Sequence, residues 1–404
     1  MHDHHYDHVV VGAGISGLAA AHYAAYAGQE TLVLDAAERP GGAMQTHRFN
    51  ALDGYWVEAG SHSCFNSYGN LLAIMERLGL LGRITAKAKL GYRLWRGGRR
   101  RGIVSALHPL ELLGALPRLF TSPKEEKTVA EYYGRVLGKK NYRDLFGPAF
   151  RSVICQNADD YPAEALFRKK PRRKDILRSF SMPGGLSDIP QAIAAQPGIE
   201  LRLGARVGAI HPRSDGVLVQ LEGGDTFSSP RLTLAVAPDV AASLLAEVNP
   251  QAAAVVAGIG MAEIDTRLLV FAKEDLPVPP LAGLISVDGQ FLSAVSRDFL
   301  DDPRYRGFAF HFPGGLFDQA QQLAAACAAL TTTPAQVVAT AQISNRLPSL
   351  RRGHLQVIAA LDVALANTAI GVTGNWFLGV SIEDCITRSR AEHERRFSAL
   401  PATI

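Results

Sequence analysis

Residues 6–11, Y-D-H-V-V-V, form an apolar β-branched run without alternation, the pattern of a strand buried on both faces of a parallel sheet. Gly12, Gly14 and Gly17 follow at once and open an Ala-rich helix over 18–27, which Gly28 ends as a C-cap would. A second apolar strand, 31–34, stops at Asp35, completing a strand–helix–strand unit of the length a dinucleotide fold requires. The pattern turns helical over 71–81. A Leu-rich stretch at 107–120, broken by Pro109 and Pro117, predicts short helices of a cap, and 124–137 reads as an amphipathic helix. Strand-like runs separated by turn residues return between 200 and 236. Ala-rich helices are predicted at 241–245 and 319–330, with strands at 266–272 and 307–312. An apolar strand-like run at 356–362 and a charged terminal helix ending near Arg396 follow.

Composition adds exclusions. The 404 residues are 47% hydrophobic and 20% charged, enough for a large core in about two domains, which excludes collagen, coiled coil and wholesale disorder. Lys plus Arg at 42 against Asp plus Glu at 38 is too small a surplus to imply nucleic-acid binding. Cys64, Cys155, Cys327 and Cys385 form no C-x-x-C pair, so neither zinc nor a disulfide framework is expected and a reducing, cytoplasmic location fits. His2, His4, His5 and His8 look like a metal cluster, but a leader before the first strand predicts a solvated tail. The N-terminus lacks the pattern of a secretion signal, and no long uncharged apolar run predicts a spanning helix. Peripheral contact with the inner face of a membrane stays open.

Gly12-Ala13-Gly14-Ile15-Ser16-Gly17 is a full G-x-G-x-x-G between a strand and a helix, with an acid eighteen positions beyond Gly17. Gly12 permits the tight turn, Gly14 lets backbone approach a pyrophosphate, and Gly17 lets the helix pack close to the strand. The helix N-terminus, with Ile15 and Ser16, offers amides to the phosphates. Asp35 would accept ribose hydroxyls, and its charge disfavours a 2′-phosphate.

The run Asp35, Arg39, Gly41, Gly42, D-x-x-x-R-x-G-G, resembles the extension found in FAD-binding enzymes of the amine oxidase, phytoene desaturase and protoporphyrinogen oxidase superfamily, whose usual acid is Glu. Gly54 to Gly60 is similar to that superfamily's G-x-x-x-E-x-G segment. The resemblance makes Ala43, Ala59, Gly60 and Ser61 flavin neighbours. G-N-W-F-L-G-V-S-I-E-D-C-I, from Gly374 to Ile386, resembles the closing motif of protoporphyrinogen oxidases, with Ser381 and Glu383 as departures. By that resemblance Gly374, Val380, Ser381 and Ile382 meet the flavin, and Val207 offers backbone bonds to the adenine. The S-F-S-M-P-G-G-L segment at 179–186 is similar to a segment of the same relatives. Cys385 is expected to pack, with FAD held non-covalently.

The resemblance implies an α/β fold: a discontinuous Rossmann-type FAD-binding domain over 1–85, 180–240 and 350–404, a helical cap over 86–179, and a mixed-sheet substrate domain over 241–349. It implies an FAD-dependent oxidoreductase that dehydrogenates a hydrophobic or cyclic substrate by hydride transfer to flavin N5, most like protoporphyrinogen oxidase, with oxygen or a quinone as electron acceptor. A carotenoid-type desaturase or an amine oxidase is the alternative, and a non-catalytic flavoprotein with a protein partner a third. Porphyrinogen asks for basic side chains in the cavity, a polyene for a long apolar tunnel, an amine for an aromatic cage. His62 is the one histidine with a candidate proton-handling role, against an ordinary structural one. Trp376 and Phe377 either wall the substrate site or fill the core. The six cations at 168–174 read as a solvated loop, and with Arg93, Arg96, Arg99, Arg100 and Arg101 they could attract carboxylates or anionic headgroups.

Overall fold

A computed structural model describes residues 4–397. At its centre lies a wholly parallel five-stranded sheet in the order Ile199–Arg202, Thr31–Leu34, His8–Val11, Leu232–Leu234, Ile370–Val372. The last four of these strands are buried throughout, which is why their sequences run apolar without alternation. Their side chains still divide by face. Val9, Val11, Leu32 and Leu34 enter one core with Phe227, Leu361, Trp376 and Phe377. Val10 and Val33 enter another with Leu18, Ala21, Ile382 and Ile386, from the helices Ile15–Tyr26 and Ile382–Phe397.

Beside this layer a seven-stranded sheet runs in the order Val337–Ser349, Gly260–Ala272, Tyr305–Pro313, Ser293–Ser296, Gly283–Ser286, Tyr92–Arg96, Arg99–Gly102. All its pairings are antiparallel except Gly283–Ser286 with Tyr92–Arg96. The first residues of the stretch expected to be a helical cap are therefore strands of this sheet, and short helices follow: Pro109–Ala115, Pro117–Thr121, Val129–Val136 and Gly147–Ile154. A capping box sets the start of Val129–Val136. Thr128 Oγ1 accepts from the Glu131 amide, and the Glu131 carboxylate accepts from the Thr128 amide.

Two expectations are corrected. Residues 356–362 are not a strand: His354–Ala364 is a helix that buries His354, Ile358 and Leu361, a spacing of four and three. The leader is not a solvated tail where it is described. His4–His5 pair in parallel with Phe227 and Ser228, and the buried His8 ring is hydrogen-bonded at 2.8 Å to Thr233 Oγ1; His2 lies outside the described residues. No group of His, Cys, Asp and Glu among the described residues could hold a metal ion.

Candidate active site

The glycine motif leaves the carboxyl end of His8–Val11, where open parallel sheets present ligand sites. Gly12 has φ +107°, and a Cβ there would stand 2.4 Å from the Ala235 carbonyl oxygen; at Gly17 it would stand 1.8 Å from that of Gly12. At Gly14 nothing lies within 4 Å of the same point. The protein's own packing demands the outer two glycines, whereas Gly14 borders open space. Gly14 is also the N-cap of Ile15–Tyr26 and supplies no side-chain cap, so amides of the first turn stay available. Ile15 and Ser16 are buried behind them. An uncapped helix end facing clear space fits a pyrophosphate.

Asp35 ends the strand Thr31–Leu34 and accepts from the amides of Ala13 at 2.5 Å and Ala37 at 2.8 Å. The carboxylate thus ties two loops together, and its oxygens keep further lone pairs for ribose hydroxyls. Arg39 turns inward onto its own loop, donating to the carbonyl of Gly42 at 2.9 Å and to Gln45 Oε1 at 2.7 Å. That clamp holds Gly41 and Gly42 against the first motif. The Gly41 amide donates to Ala13 O at 2.8 Å, and a Cβ on Gly42 would be 3.1 Å from Gly14 Cα. The next layer is as close: Ser61 N donates to Ala43 O at 3.0 Å, Ala59 N to Gln45 O at 2.8 Å, and a Cβ on Gly60 would meet Ala43 O at 2.0 Å. Val207 is half-buried at the start of Val207–Arg213, two residues past Ala205, whose amide donates to Asp35 O at 2.8 Å.

The closing motif follows Ile370–Val372. Gly374 is held under the Trp376 indole, which donates to Val236 O at 3.0 Å. Trp376 and Phe377 stack at 4.2 Å and are 0% and 1% exposed, so they fill the core and do not wall a cavity. Val380 and Ser381 are half-buried, and Ile382 begins the final helix. Ser381 Oγ donates to Asp384 Oδ2 at 2.5 Å. Lys170 Nζ joins this pair, 2.7 Å from Asp384 Oδ1 and 3.1 Å from Ser381 Oγ. The basic run therefore is not a free solvated loop: Lys170 reaches the closing motif, and Arg173 bridges Glu76 and Asp175. Cys385 is buried, and burial pushes its thiol up to about 12, consistent with packing.

His62 follows directly on the Ala59–Ser61 layer, its Nδ1 3.2 Å from Ser63 Oγ. Burial, with the charges of Lys87 and His311 adding to it, pushes the ring down to about 3, so the imidazole is neutral. Lys87 escaped the sequence reading because no motif marks it. Its Nζ donates to His62 O at 2.8 Å and to Ser63 Oγ at 2.5 Å, and lies 3.7 Å from the centre of the Phe299 ring. Burial lowers this ammonium to about 8, against the pull of Glu58. Burial likewise raises Glu58 to about 7, although Leu186 N and Thr46 Oγ1 donate to it. His311, hydrogen-bonded to Thr266, is lowered by burial to about 4.

The chain belongs to the family described as flavin containing amine oxidoreductase, whose profile matches residues 15–273. Members of this family are flavin-containing oxidoreductases, and the cradle around Gly14 accommodates such a cofactor. Among curated proteins, the L-amino-acid oxidase of Daboia russelii is 52% identical over 52 residues, 13% of this chain and 10% of that protein. The 15-cis-phytoene desaturase of Arabidopsis thaliana is 37% identical over 79 residues, 20% of this chain and 14% of its own. The matched stretches thus span only about a tenth to a seventh of these relatives' length. A structure from Exiguobacterium sp. 255-15, provisionally named a protoporphyrinogen oxidase, superposes with a TM-score of 0.78 at 18% identity over 98% of each chain. Reduced UDP-galactopyranose mutase gives 0.77 at 14% identity over 98% of this chain and 96% of its own. These likenesses establish the shared fold.

Proposed function

We propose that this oxidoreductase dehydrogenates a hydrophobic or cyclic substrate that carries carboxylates, most like a porphyrinogen, with oxygen or a quinone taking the electrons. Bound FAD supplies the hydride acceptor at N5. The observation that carries the reading is the charge beside His62. Lys87 is the cation of this cluster, because burial holds the His62 and His311 rings in the neutral form and raises the Glu58 carboxyl to about 7. A half-buried ammonium beside uncharged rings favours a carboxylate and opposes a protonated amine. Lys87 also fixes the His62 backbone through its carbonyl, which orients the turn after the Ala59–Ser61 layer.

The test is anaerobic mixing of the purified yellow protein with protoporphyrinogen IX, following flavin bleaching and porphyrin fluorescence. Bleaching faster than spontaneous oxidation is expected, and Lys87→Met is expected to raise KM about tenfold with FAD content unchanged. Flavin that stays oxidised with this substrate, yet bleaches with a polyene or an amine, would overturn the porphyrinogen reading in favour of the desaturase or the amine oxidase.

A further inference from the structure

The helix Pro109–Ala115 is built inside out. Glu111 and Ala115, four apart, face the protein: the Glu111 carboxylate accepts from the amides of Lys140 at 3.0 Å and Asn141 at 2.9 Å, and Ala115 is buried. Leu110 and Leu113 face out, Leu110 being 86% exposed. The next helix, Pro117–Thr121, exposes Leu119 and Phe120, the latter 87%, with Leu116 exposed between the two. Val104, on the turn Ile103–Ala106, is 80% exposed. Normal amphipathic helices place the apolar side inward. Here six large apolar side chains within seventeen residues turn to solvent, a concentration that marks an interaction surface.

The stretch of chain that carries these side chains is one-sided in charge. Residues 91–143 contain twelve Lys and Arg against four acids, so this segment alone exceeds the +4 of the whole chain. Arg99, Arg101, Arg118 and Lys139 are exposed and form no ion pair among the described residues. No helix among the described residues is long and apolar enough to cross a membrane.

We propose that this surface docks the protein onto an anionic lipid bilayer, Leu110, Leu113, Leu116, Leu119 and Phe120 entering the interface while the cations meet headgroup phosphates. A bilayer suits it better than a second copy, because a face with this cationic surplus repels itself. Side chains projecting singly from two short helices also find in fluid acyl chains a partner that needs no complementary shape.

The experiment is co-sedimentation of the holoprotein with vesicles of phosphatidylcholine alone and of phosphatidylcholine with phosphatidylglycerol, about two to one. Binding to the anionic vesicles alone is expected, falling as salt rises. Arg99→Glu is expected to weaken it at least about fivefold, the effect of one cation near such a surface. Leu110→Ser/Leu113→Ser/Phe120→Ser is expected to lose it, with FAD content and melting temperature unchanged to show that the fold is intact. Absence of vesicle binding, or equal binding by the triple variant, overturns the proposal. So does a concentration-dependent dimer in solution that the triple variant abolishes, which would make this face a contact between copies.

Discussion

Gly14 and Gly17 stand three residues apart in one turn and answer to different neighbours. Gly17 is required by its own protein, since a methyl group there would collide with the carbonyl of Gly12, whereas Gly14 has open space and an ordinary φ of −68°. Gly17→Ala is therefore expected to destabilise FAD-stripped protein by about 1–3 kcal/mol, the usual cost of overpacking. Gly14→Ala is expected to leave that stability unchanged and to weaken FAD binding about tenfold or more, because its methyl occupies the space a phosphate needs. Urea titration of the apoprotein and a fluorescence titration with FAD separate the two effects; a reversed pattern would mean that Gly14 is a packing glycine. Glycines of this kind were legible in the sequence because their spacing encodes a local turn. Lys87 was not, because its role comes from meeting His62 and Ser63 across twenty-five residues of chain that no spacing rule connects.

At the scale of elements, the buried strands His8–Val11, Thr31–Leu34 and Leu232–Leu234 and the helix after the glycine motif could be read directly, since each carries its pattern within a few residues, whereas the three-residue strand Ile370–Val372 was not read. The run at 356–362 shows the limit. An apolar stretch of seven fits a strand or a buried helix equally by periodicity, and only the packing of Ile358 and Leu361 against the core decides it. The basic run shows the opposite failure: a highly charged loop reads as solvated, yet Lys170 bridges to the closing motif 211 residues away. That bridge leads to a prediction. Lys170→Met leaves the Asp384 carboxylate, mostly buried, with only the Ser381 hydroxyl of its two side-chain partners. Loss of a buried ion-pair partner typically costs about 3–5 kcal/mol. The pair here is partly solvated, so the expected loss is smaller, about 1–2 kcal/mol, and it falls on the closing motif. FAD affinity should drop several-fold and the bound flavin spectrum should shift, while Lys170→Arg restores most of both. Unchanged spectrum and affinity in Lys170→Met would place the bridge outside the cofactor site.

On the scale of the whole molecule, the cradle is assembled from segments at opposite ends of the chain that hold one another directly. Gly14 lies against Gly41, Ser61 bonds Ala43, and Ser389 Oγ donates to the carbonyl of Ser16 at 2.8 Å. The strand topology was only partly legible for the same reason: Tyr92–Arg96 pairs with Gly283–Ser286 across nearly half the chain, a contact no local pattern announces. FAD held in this cradle would touch segments that are native only when both ends of the chain are in place, so it is expected to stabilise the fold as a unit. At about a hundredfold excess over its dissociation constant a ligand adds about 2.7 kcal/mol, which for a chain of this length raises the melting temperature by about 3 °C. Removing FAD should reverse that shift, and on heating the holoprotein flavin fluorescence should appear together with the loss of near-ultraviolet circular dichroism. Flavin released in an earlier, separate transition would show instead that the cradle opens while the seven-stranded sheet stays folded, and the two sheets would then have to be treated as independently stable units.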